Sequence, residues 1–155
     1  MKQVLVALIL LAGLAFAPRS RAAASCSLTS GTGTLVDFSA YTAMSGNVDA
    51  NGTLTLNCSS PPLNLPVSYS IKIGQGGSGS FNPRHLSFAG YNLNYNLYTD
   101  LTRLLIWGDG VAPGTNKVSG LCTGACSVLV YGRLFSAQSV VAGAYSDQVA
   151  ITLDF

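Results

Sequence analysis

Side chains that could perform acid–base catalysis are few in this sequence. His85 is the single histidine, glutamate is absent, and the six aspartates are scattered along the chain. A Ser–His–acid triad would have to use His85, and no G-x-S-x-G elbow is present to carry a nucleophilic serine. Because His85 follows Arg84 and an Asn-Pro pair, we expect it to be an exposed polar residue where a strand begins.

The aspartates have an ordinary structural interpretation. Asp109 and Asp147 lie in turns near glycines, where a short acidic side chain typically caps backbone N–H groups. A glycosidase would need two paired carboxylates, and no such pair is evident. The residues therefore predict a protein that is not an enzyme, with a small hydrolase as the alternative.

Four cysteines are the other reactive side chains: Cys26, Cys58, Cys122 and Cys126. An even number in an exported chain predicts disulfides, and four cysteines allow three pairings. We expect Cys26–Cys58, because neighbouring antiparallel strands can place them side by side, and Cys122–Cys126, which flank a tight loop containing Gly124. Zinc is the alternative at the second pair, but structural zinc takes four Cys or His ligands and the chain has one histidine. We expect no metal and no cofactor.

Aromatic side chains could bind sugar. Tyr91, Tyr95, Tyr98 and Trp107 are spaced along predicted strands and could form a stacking platform. Aromatics spaced in this way more often lie in the core or in cross-strand pairs. We therefore expect these aromatic residues to be structural, and we keep a carbohydrate-binding module as an alternative function.

The first residues have the pattern of a secretory signal peptide. Lys2 precedes an apolar run over residues 4–17, and Ala22-Ala-Ala24 is a small-residue cleavage site. We expect residues 1–24 to be removed and residues 25–155 to form one domain. Three of the eight basic residues leave with the signal, so five remain against six aspartates, a net charge near −1. No basic patch then argues for nucleic acid as a partner.

Short alternating segments with no helical period predict the elements that position these residues. They are expected over residues 35–38, 53–58, 67–73, 86–88, 93–98, 104–107, 128–135 and 145–155. Turn-rich stretches separate them, including residues 46–52 and 74–80. Seven or eight strands at this spacing predict an all-β sandwich.

The last strand is the most regular. Val149, Ile151, Leu153 and Phe155 alternate with Ala150, Thr152 and Asp154. Period-two alternation indicates a strand with one face buried and the other exposed to solvent. An amphipathic strand at this position must pair with strands formed much earlier in the chain, so it closes the domain.

A set of motifs in a fixed order runs across the predicted mature chain. They are Cys26, Phe38 with Tyr41, Leu54-Thr-Leu-Asn-Cys58, Tyr69-Ser-Ile, Arg84-His-Leu86, Leu93-Asn-Tyr-Asn-Leu-Tyr98, Trp107-Gly-Asp-Gly110, Tyr131-Gly-Arg133 and Gly143-x-Tyr145-x-Asp147-x-Val-x-Ile-x-Leu-x-Phe155. In this order the sequence resembles the spore coat protein U domain, which Csu-type subunits of archaic chaperone–usher pili share.

The resemblance implies an immunoglobulin-like sandwich that lacks its last strand and is completed by a donor strand. A periplasmic pilus chaperone would fill the gap first, and the N-terminal extension of a neighbouring pilus subunit would replace it at an outer-membrane usher. Val149, Ile151, Leu153 and Phe155 would line the donor-strand groove and contact the chaperone. The implied product is a pilus subunit exported through the periplasm to the cell surface for adhesion or biofilm formation. A stand-alone coat or surface protein is the alternative.

Two features depart from the family pattern. The Cys122-x-x-x-Cys126 loop is not a general family feature. Cleavage after Ala24 would also leave only Ser25 before Cys26, whereas shaft subunits carry a donor stretch of about a dozen residues there. We therefore expect this chain to accept a strand but not to donate one, which favours a terminal, tip position in the fibre.

Overall fold

The computed structural model describes residues 23–30, 34–38, 41 and 46–155. Within them the strands are β1 (Ser25–Ser30), β2 (Val48–Ser59), β3 (Val67–Ile73), β4 (Arg84–Phe88), β5 (Tyr91–Tyr98), β6 (Ile106–Trp107), β7 (Thr115–Asn116), β8 (Val118–Cys122), β9 (Gly124–Leu134) and β10 (Ile151–Asp154). One short 3₁₀ turn, Gly76–Ser78, is the helical element of this part of the chain. The predicted signal peptide lies mostly outside the described residues. Across the described ranges, no helix has the length and apolar character needed to cross a membrane.

The strands form two sheets. The larger sheet has the order β1-β2-β9-β5-β6-β7, with β4 added to β5, and the smaller has the order β10-β3-β8. Pairing is antiparallel throughout, apart from the short parallel pair β6 and β7. Sheets that each have an apolar face must bury those faces against one another. The predicted all-β sandwich is thereby confirmed, while its completion by a donor strand stays a prediction.

The core lies between the apolar faces of the two sheets. Leu54 and Leu56 of β2 and Val130 of β9 are fully buried, as are Ile71 and Ile73 of β3. Two hydrogen bonds join the sheets near β6. The Trp107 indole N–H donates to the Ile71 carbonyl at 3.0 Å, and the Ile73 N–H donates to the Gly108 carbonyl at 3.0 Å.

The predicted first strand is wrong. Residues 34–38 are irregular, and β1 is formed instead by Ser25–Ser30, so that Cys26 lies within the first strand rather than before it. β1 is selected by its partner, since Cys26 and Leu28 pair with the buried Cys58 and Leu56 of β2. Local alternation of apolar residues carries no information about this long-range pairing.

The irregular segment has a packing role of its own. A Cβ atom on Gly52 would lie 1.6 Å from the Leu35 carbonyl oxygen, and one on Gly132 would lie 2.8 Å from Val36 and Phe38 side-chain atoms. These two glycines let residues 34–38 approach the sheet closely. Residues 48–52, predicted as part of a turn, belong to β2, because its long pairing with β9 starts at Val48. Long-range pairing has overridden a turn-like composition.

The described residues contain two disulfides, Cys26–Cys58 and Cys122–Cys126, and no unpaired cysteine. The first joins β1 to β2 within the larger sheet. The second joins β8 of the smaller sheet to β9 of the larger one, across the turn where the chain changes sheets. The short disulfide therefore links the two layers of the sandwich.

We expect non-reducing peptide mapping to recover these same two linkages. In the chain-entropy model, removing Cys26–Cys58 by paired Cys→Ser changes should cost about 3–4 kcal/mol, and removing Cys122–Cys126 about 2 kcal/mol, because the first closes the longer loop. Urea unfolding of the variants, chaperone-free or donor-completed, whichever is soluble, measures both. A peptide linking Cys58 to Cys122 or Cys126, or free thiols in exported protein, would contradict the pairing.

Candidate site for strand addition

β10 ends the smaller sheet. It pairs with β3 on one side, with Ile151 opposite Ile73 and Leu153 opposite Ile71, and no strand in the described ranges pairs with its other side. Directly opposed residues in a sheet share a face. Since Ile71 and Ile73 are fully buried, Ile151 and Leu153 also face the core, yet both are only half-buried. The sheet therefore stops before its apolar face is covered.

The predicted groove residues lie along this edge. Val149, Ile151 and Leu153 are half-buried and pack against the core, whereas Phe155 is 59 % exposed. β10 covers only Ile151–Asp154 and is therefore shorter than the strand predicted over residues 145–155. Contact of the four side chains with a partner stays a prediction.

The outer face of β10 is polar. Thr152 and Asp154 are exposed, and the Asp154 carboxylate lies 2.6 Å from the Lys72 ammonium and accepts a hydrogen bond from Ser70 at 3.3 Å. The hydrogen bond from Lys72 is the main cause that lowers the pKa of Asp154. These contacts hold β10 against β3 from the solvent side.

The larger sheet also ends in an edge strand with incompletely covered apolar side chains. β1 is the last strand of the larger sheet and pairs only with β2 among the described strands. Its core-facing Cys26 and Leu28 are half-buried, although their partners Cys58 and Leu56 are buried. Each sheet thus ends in a strand whose inward side chains are incompletely covered.

A cavity of about 730 Å³ lies beside the segment that leads to β10. Its walls carry both polar and apolar groups and come from three strands of the larger sheet and from segments outside the strands: Leu86, Leu93, Leu134, Thr34, Val36, Asp37, Phe38, Tyr41 and residues 140–147. None of the four predicted groove residues lines it. Sequence reasoning missed this cavity, because its walls come from segments far apart in the chain.

Arg84 is a second feature that sequence reasoning missed. The side chain is fully buried on β4, and its guanidinium donates to the carbonyls of Gly74 at 2.8 and 2.9 Å and Trp107 at 2.7 Å, and to the Asn96 amide oxygen at 2.7 Å. Burial lowers the pKa of Arg84. The available signal was strand parity, since Arg84 falls on the same face as Leu86, whose partner Leu93 is buried.

The predicted role of the turn aspartates as caps is confirmed. Asp109 accepts from the N–H groups of Val111 and Ala112 at 2.9 and 2.8 Å. Asp147 accepts from the N–H groups of Gly77 and Gln148, both at 2.8 Å. Asp147 also accepts from the Tyr95 hydroxyl at 2.7 Å, and the pKa of Tyr95 is raised, first by burial and then by this hydrogen bond.

The residues considered for other chemistry lie on the neighbouring strands β4, β5 and β6 of the larger sheet. His85 lies at the start of β4, opposite Asn94, as predicted, but it is half-buried rather than exposed. Of the aromatic residues considered as a sugar platform, Tyr95, Tyr98 and Trp107 are buried and offer no stacking surface, whereas Tyr91 is 47 % exposed. Among the described residues, no three His, Cys, Asp or Glu side chains are grouped so that they could hold a metal ion.

Comparison with known proteins agrees with this architecture. Protein U of Myxococcus xanthus is 34 % identical over 146 residues, an alignment covering 84 % of this chain and 78 % of that protein. The fold is similar to a chain in the crystal structure of the CsuC-CsuE chaperone-tip adhesion subunit pre-assembly complex from archaic chaperone-usher Csu pili of Acinetobacter baumannii, with a TM-score of 0.59 and 17 % identity. That alignment covers 85 % of this chain and 40 % of the other, so this chain spans well under half of its length. The Spore Coat Protein U domain model matches residues 14–152, and the chain therefore belongs to the Spore Coat Protein U domain family.

Proposed function

We propose that the chain is a non-enzymatic structural subunit of an archaic chaperone–usher pilus, completed by a strand added to the unpaired edge of β10. One observation carries the proposal: Ile151 and Leu153 face the core from an edge strand and are half-buried, although their partners on β3 are fully buried. An edge with uncovered apolar side chains is a template for another strand and an aggregation hazard when left open. The fold similarity to a chain of a chaperone–subunit complex supports the same interpretation.

The partners follow from this edge. A periplasmic chaperone would cover it first, an outer-membrane usher would receive the subunit, and a neighbouring subunit would supply the final strand. Val149, Ile151, Leu153 and Phe155 would contact that strand. Residues 1–24 would direct export, and the assembled fibre at the cell surface would serve adhesion or biofilm formation. The two disulfides support an oxidising route through the periplasm.

The free energy that a donor strand would contribute is large compared with the stability of a domain. A donor strand that buries four or five apolar side chains contributes about 1.5–3 kcal/mol for each. The total is comparable with the whole net stability of a domain, about 5–15 kcal/mol. We therefore expect the isolated mature protein to aggregate and the chaperone-bound protein to be soluble.

Expression in the periplasm with and without an archaic pilus chaperone tests this directly. The expected result is a stable complex of the two proteins in gel filtration, and aggregated or degraded chain when the chaperone is omitted. A monodisperse, heat-resistant monomer made without any partner would contradict the incomplete sandwich.

A coat or surface protein that assembles differently is the second candidate, and the name of the family favours it. Electron microscopy of the producing cells separates the two. Thin fibres that vanish when the usher gene is deleted support the pilus, whereas a continuous surface layer that survives the deletion supports the coat.

A further inference from the structure

The chain changes sheets within a few residues just before β10. Ser146 pairs with Ser87 of β4 on the larger sheet, with N–H···O distances of 2.9 and 3.3 Å in the two directions. The Ala150 carbonyl then accepts from the Gly74 N–H at 2.8 Å, beside the smaller sheet. Only residues 147–149 lie between these two attachments. Their conformation therefore sets where β10 begins along β3.

The half-buried carboxylate of Asp147 connects the two sheets at this point. One oxygen accepts from the Tyr95 hydroxyl, which belongs to β5 of the larger sheet, at 2.7 Å. The other accepts from the Gly77 N–H, in the loop that follows β3 of the smaller sheet, and from the Gln148 N–H, both at 2.8 Å. A single side chain thus ties the start of the terminal strand to both layers.

The loop around Gly76 is shaped to receive this carboxylate. Gly76 has a φ of +68°, and a Cβ atom there would lie 2.1 Å from Asp147 Oδ2. Glycine adopts this conformation without strain, and any other residue would displace the carboxylate. Arg84 holds the same loop from the protein interior, through its hydrogen bonds to the Gly74 carbonyl. The conformation of Gly76 and the hydrogen bonds from Arg84 therefore both favour the contact between this loop and Asp147.

We infer that Asp147 is a positioning residue for strand addition. It fixes the crossover of the chain from the larger to the smaller sheet and thereby sets the register in which β10 pairs with β3 and presents its unpaired edge. Side chains in a strand alternate between faces, so a slip of one residue would turn Ile151 and Leu153 to the solvent side. This inference rests on the proposed function for its consequence, but its structural part, the ordering of residues 148–154, can be measured separately.

Hydrogen exchange followed by mass spectrometry on the processed full chain, with chaperone bound where it co-purifies, measures the structural part. In Asp147→Ala, amides of residues 74–80 and 148–154 should exchange about tenfold faster, because hydrogen bonds that order both segments are lost. Residues 48–59 of β2 should keep their rate. Gly76→Ala should reproduce the effect while leaving the aspartate in place.

Three further variants separate positioning from general destabilisation. Asp109→Ala is the matched control, since Asp109 also accepts three hydrogen bonds in a turn, from Val111, Ala112 and Thr115, but does not touch the terminal segment. Asp147→Asn should restore exchange to near the wild-type rate, because its amide oxygen still accepts and the Tyr95 hydroxyl can accept from its NH₂ group. Adding Tyr95→Phe to Asp147→Ala should raise the exchange at 148–154 no further, because that hydrogen bond is already lost.

Counting surface fibres on cells that produce each variant completes the test. Loss of fibres in Asp147→Ala and Gly76→Ala, with fibres kept in Asp147→Asn and Asp109→Ala, supports the inference. Unchanged exchange at 148–154 in Asp147→Ala overturns it, as does an equal increase in β2, and normal fibres despite faster local exchange overturn the positioning role. If the wild-type chain makes no fibres, the proposed function fails, and the exchange measurements alone decide whether Asp147 orders the terminal strand.

Discussion

Replacing Leu153 with aspartate is expected to abolish chaperone capture and fibre formation. Leu153 faces the core opposite the fully buried Ile71, and an added strand would cover the part of its side chain that is now exposed. An unpaired carboxylate in that dry contact costs several kcal/mol, and about 3 kcal/mol already corresponds to a hundredfold loss in affinity. Pull-down of the variant with the chaperone from periplasm, followed by a count of surface fibres, measures the effect.

Thr152→Asp is the matched control for this prediction. It places the same charge one residue earlier on β10, on the exposed face, where its cross-strand neighbour is Lys72. We expect this variant to bind the chaperone and assemble nearly as well as the wild type. Normal binding and assembly by Leu153→Asp would remove β10 as the assembly edge.

Replacing Arg84 with leucine is expected to destabilise the protein by several kcal/mol, at about 1–3 kcal/mol for each buried acceptor that is left without its donor. Leucine has a similar apolar stem but no donors. The carbonyls of Gly74 and Trp107 would lose the guanidinium as donor, whereas the Asn96 amide oxygen would keep the Leu97 N–H. Urea unfolding of the chaperone-free or donor-completed protein, whichever is soluble, gives the free energy of unfolding.

Arg133→Leu serves as the control for Arg84→Leu. Arg133 makes a two-pronged contact with Asp49 at 2.7 and 2.9 Å, but on the solvent side of the sheet. Removal of such an exposed pair should cost no more than about 1 kcal/mol. Arg84→Lys should recover only part of the stability, because one ammonium group cannot reproduce the planar fork of the guanidinium. Equal losses for Arg84→Leu and Arg133→Leu would contradict the central role of Arg84.

The core-facing residues could be predicted from alternation alone. The set Leu54, Leu56 and Cys58 on β2, and the inward orientation of Ile151 and Leu153 on β10, both follow from period-two spacing, and the structure places them so. A pattern of this kind is local, because successive side chains of a strand point to opposite faces whatever the partner strand is. The caps at Asp109 and Asp147 are local in the same sense.

Which segment forms the first strand could not be predicted from local alternation. Residues 25–30 and 35–38 both contain apolar residues at alternate positions, and only the first segment forms a strand. The difference lies in β2, whose Leu56 and Cys58 offer buried partners to β1. Such pairing depends on residues some thirty positions away, and strand preference reflects these neighbours more than intrinsic backbone preference.

By itself, the sequence determined an all-β domain, the core-facing sides of β2 and β10 and an amphipathic last strand, because these properties depend on neighbouring residues. Tertiary structure alone decided that β10 ends its sheet, that Arg84 is buried against the Gly74 and Trp107 carbonyls, and that Asp147 joins both layers. These three features exist only when segments separated by many residues meet. Strand parity indicates which face of β4 carries Arg84, but the partners of this charged side chain come from segments that meet only in the folded protein.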